Sequence, residues 1–139
     1  MKKKAIIISI KGFKLTNKEK LLFTKESPWG LILFKRNIKS LPQVRLLIKN
    51  IKKITKDNKF PILIDEEGST VTRLSKIINH NIDANFFGKL YLLNKKMSIQ
   101  LYKNYLTALC KNLRNIGINI NTIPVIDVLR KATSKVIGN

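Results

Sequence analysis

A chain of 139 residues, 44% of them hydrophobic, has the length of one domain and enough apolar sequence to bury a core. Its 28 Lys and Arg against 8 Asp and Glu give a net charge of +20, but the lysines are spread along the whole chain, as on solvated faces. With no basic recognition helix, aromatic-rich strand or zinc pattern, a specific nucleic-acid partner is not expected; a single cysteine, Cys110, excludes an internal disulfide and fits a reducing, cytoplasmic setting.

The first apolar run, residues 5–10, is too short for a secretion signal and has no small-residue cleavage site after it, so it reads as a core strand. Thr16 and Glu19 have the spacing of a capping box and open a helix that ends before Ser27-Pro28. Residues 30–34 form the second strand. Ser40 and Gln43 repeat the capping-box spacing, and behind them Val44, Leu47, Ile48, Ile51 and Ile54 fall on one helical stripe. Residues 61–65 form the third strand. Residues 75–94 show no clean period and read as a long loop with a short helix near 86–93. A helix over 95–116 carries Ile99, Tyr102, Leu106, Leu109 and Leu113 inward, with Cys110 a small core residue beside them, and Gly117 ends it. Residues 118–127 form a fourth strand. No apolar run reaches the length of a membrane span, so no membrane partner is expected.

Short apolar strands alternating with helices predict an α/β fold with a parallel sheet wrapped by helices. Four units leave two architectures open, an open doubly wound sheet and part of a barrel. The loop after the first strand lacks the glycine patterns of dinucleotide and phosphate-binding loops. Neither a cofactor nor a metal site is expected. The third strand delivers Asp65, Glu66 and Glu67 to its C-terminal end, and the fourth closes on Asp127. Strand ends of this kind are where α/β proteins build ligand sites, and barrels in particular hold polar substrates there.

Several strings add a resemblance. GLILFKRN (30–37), LIDEEGSTVTRL (63–74), GININTIPVIDV (117–128) and SKVIGN (134–139) resemble landmarks of family 3 glycoside hydrolases, and KGFKLTNKEKLLF (11–23) resembles the start of their bacterial β-N-acetylhexosaminidase branch. In that branch the corresponding patterns are G-[LV]-ILF-x-RN, D-Q-E-G-G-R-V-x-R and F-A-P-V-x-D-V at similar spacing. The resemblance covers nearly the whole chain. It implies a (β/α)8 TIM-type barrel, here about its first four β/α units as a single truncated portion over 1–139. It also implies removal of terminal N-acetylglucosamine from saccharides such as cell-wall fragments being recycled.

Carried over position by position, the resemblance makes Asp65 the acid that holds sugar hydroxyls and Arg73 a substrate-binding arginine. A carboxylate can accept two hydroxyl hydrogen bonds, and a guanidinium fork can meet hydroxyls or an N-acetyl carbonyl. The alternative reading is that Asp65 and Arg73 simply pair with each other. Glu67 is expected to orient the turn by accepting backbone N–H groups. Asp127 either touches substrate or braces its loop. Arg36 and Asn37 cap the second strand as structural residues, with a contact at the rim of the site as the alternative, and His80 is exposed or loop-bracing.

Two departures from the family pattern matter. Gly-Gly-Arg becomes Gly68-Ser69-Thr70, so that a positive φ at the second position would strain Ser69 and shift Asp65. The reacting groups of the family, an aspartate nucleophile and an Asp-His acid/base dyad in a Gly-His-Gly loop, have no counterpart in these residues. Asp65 and Asp127 do not replace them as a carboxylate pair, because the resembling positions bind or brace. No catalytic residue is therefore assigned. The expectation is an N-terminal fragment inactive alone, whose exposed strand edges pair with a complementing C-terminal half, self-associate or aggregate. A basic nucleic-acid-associated protein and a catalytically silent sugar-binding module are the alternatives.

Overall fold

Parallel strands need crossovers, and in this chain each crossover carries a helix whose apolar face covers the sheet. The computed structural model describes residues 3–78 and 82–126. In chain order it contains β1 (Lys4–Ile8), α1 (Asn17–Glu26), β2 (Pro28–Leu33), α2 (Leu41–Thr55), β3 (Ile62–Ile64), α3 (Ala84–Leu93), α4 (Lys95–Ile116) and β4 (Ile120–Asn121). A single 3-10 turn, Lys35–Asn37, follows β2. The four strands pair in parallel in the order β1-β2-β3-β4, with Leu31 opposite Ile62 and Leu63 opposite Ile120. A doubly wound sheet reverses its strand order at a switch point; this sheet grows in one direction along the chain.

Local signals start and stop the helices. Thr16 Oγ1 accepts from the Glu19 N–H at 3.2 Å while the Glu19 carboxylate accepts from the Thr16 N–H at 2.7 Å, so the first capping box is complete. The second is only half formed. Ser40 Oγ accepts from the Gln43 N–H, but the Gln43 side chain takes the N–H of Lys39 at 2.8 Å and donates to Phe13 and Asn37 carbonyls. Gln43 therefore ties the loop after β1 to the start of α2. Gly117 ends α4 at φ +107°, and a Cβ there would lie 3.1 Å from Ile48 Cγ2.

The core sits between the sheet and α1, α2 and α4. Leu31, Leu33, Ile62 and Ile64 from the strands meet Val44, Leu47, Ile48 and Ile51 of α2 and Leu109, Leu113 and Ile116 of α4. Phe23 closes the α1 side with an edge-on contact to Phe60 at 6.0 Å between centroids. On α4 the inner stripe differs from the expectation. Ile99 is exposed, whereas Ser98 is buried because its hydroxyl donates to the Phe87 carbonyl at 2.8 Å, and Tyr105 packs on Phe87 at 5.4 Å. Cys110, expected in the core, is exposed: it follows the buried Leu109 and is turned outward by one helical step.

The β1 edge of the sheet is poorly covered. Ile6 and Ile7 of β1 are 51% and 43% exposed, and Trp29 of the neighbouring β2 is exposed as well. No described helix is long and apolar enough to cross a membrane.

Candidate functional site

Alternation along a strand sends successive side chains to opposite faces, and past the end of β3 it sorts the acids. Glu66 shares the side of Ile62 and Ile64 and is fully buried; Asp65 and Glu67 share the side of Leu63 and are half-buried. Inside, the Glu66 carboxylate accepts from Thr72 Oγ1 at 2.5 Å, the Arg73 N–H at 2.8 Å and the Leu74 N–H at 2.9 Å. The chain thus folds back so that Arg73 returns beside Asp65. The Glu66 carboxylate, one residue before the Glu67 expected from the sequence, accepts backbone N–H groups of the turn. Glu67 contributes its own N–H, which donates to the Val71 carbonyl at 2.9 Å.

The Gly68-Ser69 replacement does not strain the turn. Among the described residues, the only non-glycine positions with positive φ are Ser27 and Lys56. Ser69 instead donates from its N–H and its hydroxyl to the Asp83 carboxylate at 2.8 and 2.6 Å. Asp83 precedes α3 but makes no side-chain cap bond to it, being occupied by Ser69. Gly68 must remain small, since a Cβ would lie 2.9 Å from Asp83 Oδ1 and 3.1 Å from the Ile82 carbonyl.

Asp65 and Arg73 are brought together. Arg73 Nη2 lies 3.4 Å from Asp65 Oδ2, a long ion pair whose side chains keep 28% and 21% of their surface for Arg73 and Asp65 respectively. The two residues thus pair, as one reading of the sequence has it, and loosely enough to leave hydrogen-bonding capacity. Arg73 Nε is buried and has no acceptor among the described residues. The guanidinium carbon lies 5.8 Å from the centroid of Phe34, at the end of β2. Arg36 lies over the same ring at 4.6 Å and is anchored to the end of β1, donating to the Ile10 carbonyl at 3.1 Å and to Ser9 Oγ at 2.6 Å. Asn37, fully buried, donates to the Ile10 and Gly12 carbonyls and accepts from the Phe34 N–H. Arg36 and Asn37 thus bind neighbouring loops to each other, as expected of strand caps.

The fourth strand is held largely by two asparagines that the sequence reading passed over. Asn121 accepts from the Glu66 N–H and donates to the Glu66 carbonyl, both at 3.0 Å; Asn119 accepts from the Ile62 N–H at 2.7 Å and donates to the Phe60 carbonyl at 3.0 Å. These amides act as extra backbone units. Their alternate spacing after Gly117, in GININ, was the signal.

Beside the turn, Gly68 and Asp83 on one wall and Phe87, Tyr102 and Tyr105 on the other enclose a small pocket of about 130 Å³. Burial raises the Tyr102 hydroxyl above its ordinary pKa, and burial together with the Glu66 carboxylate does the same for Tyr105. A larger groove of about 620 Å³ runs between Phe13, Lys20 and the Leu46 side of α2, away from the strand ends and lined by no carboxylate. Neither Asp65 nor Arg73 lines that groove. Among the described residues no group of His, Cys, Asp and Glu is placed to hold a metal ion. Asp127, His80 and residues 134–139 lie outside the described residues.

No protein-family model matches the chain. Curated relatives do. The chain is 29% identical over 134 residues to a beta-hexosaminidase of Thioalkalivibrio sulfidiphilus, covering 96% of this chain and 38% of that protein. It is 26% identical over the same length to a beta-hexosaminidase of Stenotrophomonas maltophilia, covering 39% of it. The chain therefore spans less than two fifths of these relatives. Among solved structures, NagZ from Neisseria gonorrhoeae, in complex with N-trifluoroacetyl-D-glucosamine, superposes with a TM-score of 0.80 at 26% identity, over 91% of this chain and 37% of NagZ. A family 3 β-N-acetylglucosaminidase from Paenibacillus sp. shares the fold, with a TM-score of 0.70 at 24% identity over 88% of this chain and 23% of that one. Over nearly its whole length, in sequence and in backbone, the chain resembles the N-terminal part of bacterial family 3 β-hexosaminidases.

Proposed function

We propose that these residues form about the first four β/α units of a (β/α)8 barrel whose complete form hydrolyses terminal N-acetylglucosamine, in the cytoplasm and on cell-wall fragments being recycled. The observation that carries the reading is the loose Asp65–Arg73 pair at the C-terminal end of β3, with Arg73 Nε still lacking an acceptor. An incoming sugar supplies what that pair lacks: hydroxyls that donate to Asp65 and an oxygen that accepts from Arg73. Glu67 is assigned a supporting role beside this pair, and the resemblance gives Asp127 a supporting role as well. The sequential order of the parallel strands and the exposed Ile6, Ile7 and Trp29 are consistent with a sheet that continues toward closure.

The 139 residues hold the sugar but do not cleave it. Retaining hydrolysis needs a nucleophile on one face of the sugar ring and a proton donor on the other, with carboxyl groups about 5–5.5 Å apart in ordinary cases. Asp65 is paired with the Arg73 cation at 3.4 Å, and the resemblance makes it a binding residue and not a nucleophile. The reacting groups come from the remaining barrel, whether continuous with this chain or supplied separately. The test is titration with N-acetylglucosamine, comparing the unmodified chain with Asp65→Ala. Saturable binding abolished by the substitution supports the reading; binding that survives it, or none in the unmodified chain, overturns the assignment of Asp65.

A further inference from the structure

Arg73 is held by little that is directional. Its ion pair with Asp65 is long, its Nε lacks an acceptor among the described residues, and its guanidinium carbon lies 5.8 Å from the Phe34 centroid. Arg36, over the same ring at 4.6 Å, is fixed by hydrogen bonds to Ile10 and Ser9. The ring itself is tethered through its backbone, because the Phe34 N–H donates to Asn37 Oδ1 at 2.9 Å and Asn37 is locked to the end of β1. One aromatic ring at the end of β2 therefore receives two cations, one immobilised and one with a free donor beside Asp65.

We infer that Phe34 is the positioning residue for Arg73: the negative face of its ring orients the guanidinium so that Nε is presented to a sugar oxygen while Nη2 stays near Asp65. The inference rests on the sugar-binding reading for its consequence, but not for its geometry. A guanidinium within about 6 Å of an aromatic centroid is attracted by the ring quadrupole. An aliphatic side chain of similar size fills the space without that attraction, leaving the long ion pair as the main restraint. Phe34 is half-buried and is itself placed by its backbone bond, so the ring's electronic character can be altered with little change in packing.

The experiment uses three replacements in the 139-residue chain: Phe34→Leu, Phe34→Tyr, and pentafluorophenylalanine at position 34, which inverts the quadrupole with little change in volume. Two readouts are taken. The first is the NMR signal of the Arg73 Nε–H group, with that of Arg36 Nε as an internal control. The second is N-acetylglucosamine affinity. Leu and the fluorinated ring should shift the Arg73 signal toward that of a solvent-averaged arginine and weaken sugar binding by about threefold to tenfold. Tyr should retain both within about twofold, and the Arg36 signal should persist throughout. An Arg73 signal unchanged by the fluorinated ring overturns the inference, as does equal loss in the Tyr variant. If the unmodified chain binds no sugar, the functional proposal fails, and the Arg73 signal still decides the role of Phe34. If the Leu variant fails to fold, the fluorinated and Tyr variants decide it.

Discussion

Replacing Glu66 with alanine should be among the most damaging single changes near the site, although Glu66 is not expected to touch substrate. Its carboxylate is the acceptor for the N–H groups of Arg73 and Leu74 and for the Thr72 hydroxyl, at 2.8, 2.9 and 2.5 Å, in a place with no solvent access. The hydroxyl can rotate toward another acceptor, but the two amides cannot. Each buried donor left unsatisfied costs about 1–3 kcal/mol, which puts Glu66→Ala at about 2–6 kcal/mol. That is a large share of the roughly 5–15 kcal/mol that keeps a domain folded. Glu66→Gln is the informative companion. Both amides bond to Oε2, so an amide oxygen placed there keeps them, and its NH₂ can donate to Thr72; the expected cost is about 1 kcal/mol. Urea unfolding followed by circular dichroism gives the stabilities, and amide hydrogen exchange at Arg73 and Leu74 gives the local effect. An alanine variant within about 1 kcal/mol of the unmodified protein, with both amides still protected, would refute this account of the turn.

Three further outcomes follow from the same structure. Gly117→Ala places a side chain at φ +107° with its Cβ 3.1 Å from Ile48 Cγ2, and should lower stability by about 1–3 kcal/mol in a urea titration. Asn121→Ala removes both bonds to the Glu66 backbone and should cost about 1–3 kcal/mol, with faster amide exchange at Glu66 than Asn121→Asp, which keeps the acceptor. For Glu19, burial pushes the carboxyl pKa up, but the N–H groups of Thr16 and Lys11 outweigh it and hold the group below its ordinary 4.5. Its folded-state pKa is depressed, so its contribution is complete above the unfolded value and is lost as pH falls through the folded one. The gap in urea midpoint between the unmodified protein and Glu19→Gln should therefore narrow on acidification; a constant gap would count against the capping box.

The alternating strands and helices were legible because each carries a clean periodic signal: unbroken apolar runs for β2 and β3, and the Val44-Leu47-Ile48-Ile51 stripe for α2. The misses share a cause, which is polar residues doing packing work. Ser98 and Tyr105 line the inner face of α4, yet a hydropathy stripe passes over them in favour of Ile99, which is exposed. Asn119 and Asn121 extend the pairing of a two-residue strand with side-chain amides, which no propensity reports. Glu66 was recoverable: counted by twos from Ile62 and Ile64, it falls on the covered face, and Glu67 does not. The proximity of Asp65 and Arg73 followed from the shared motif, whereas the ring of Phe34 beneath Arg73 is a tertiary contact between two loops that local spacing does not encode.

The central claim is that these residues contribute grip on an N-acetylglucosamine unit and no bond-breaking groups. Release of chromophore from a nitrophenyl N-acetylglucosaminide measures it most directly, with the 139-residue chain first alone and then mixed with a polypeptide carrying the remaining barrel. The account predicts no turnover alone, and turnover on mixing that is lost with either Asp65→Ala or Arg73→Ala. Turnover by the chain alone, or turnover on mixing that is indifferent to both substitutions, would contradict it.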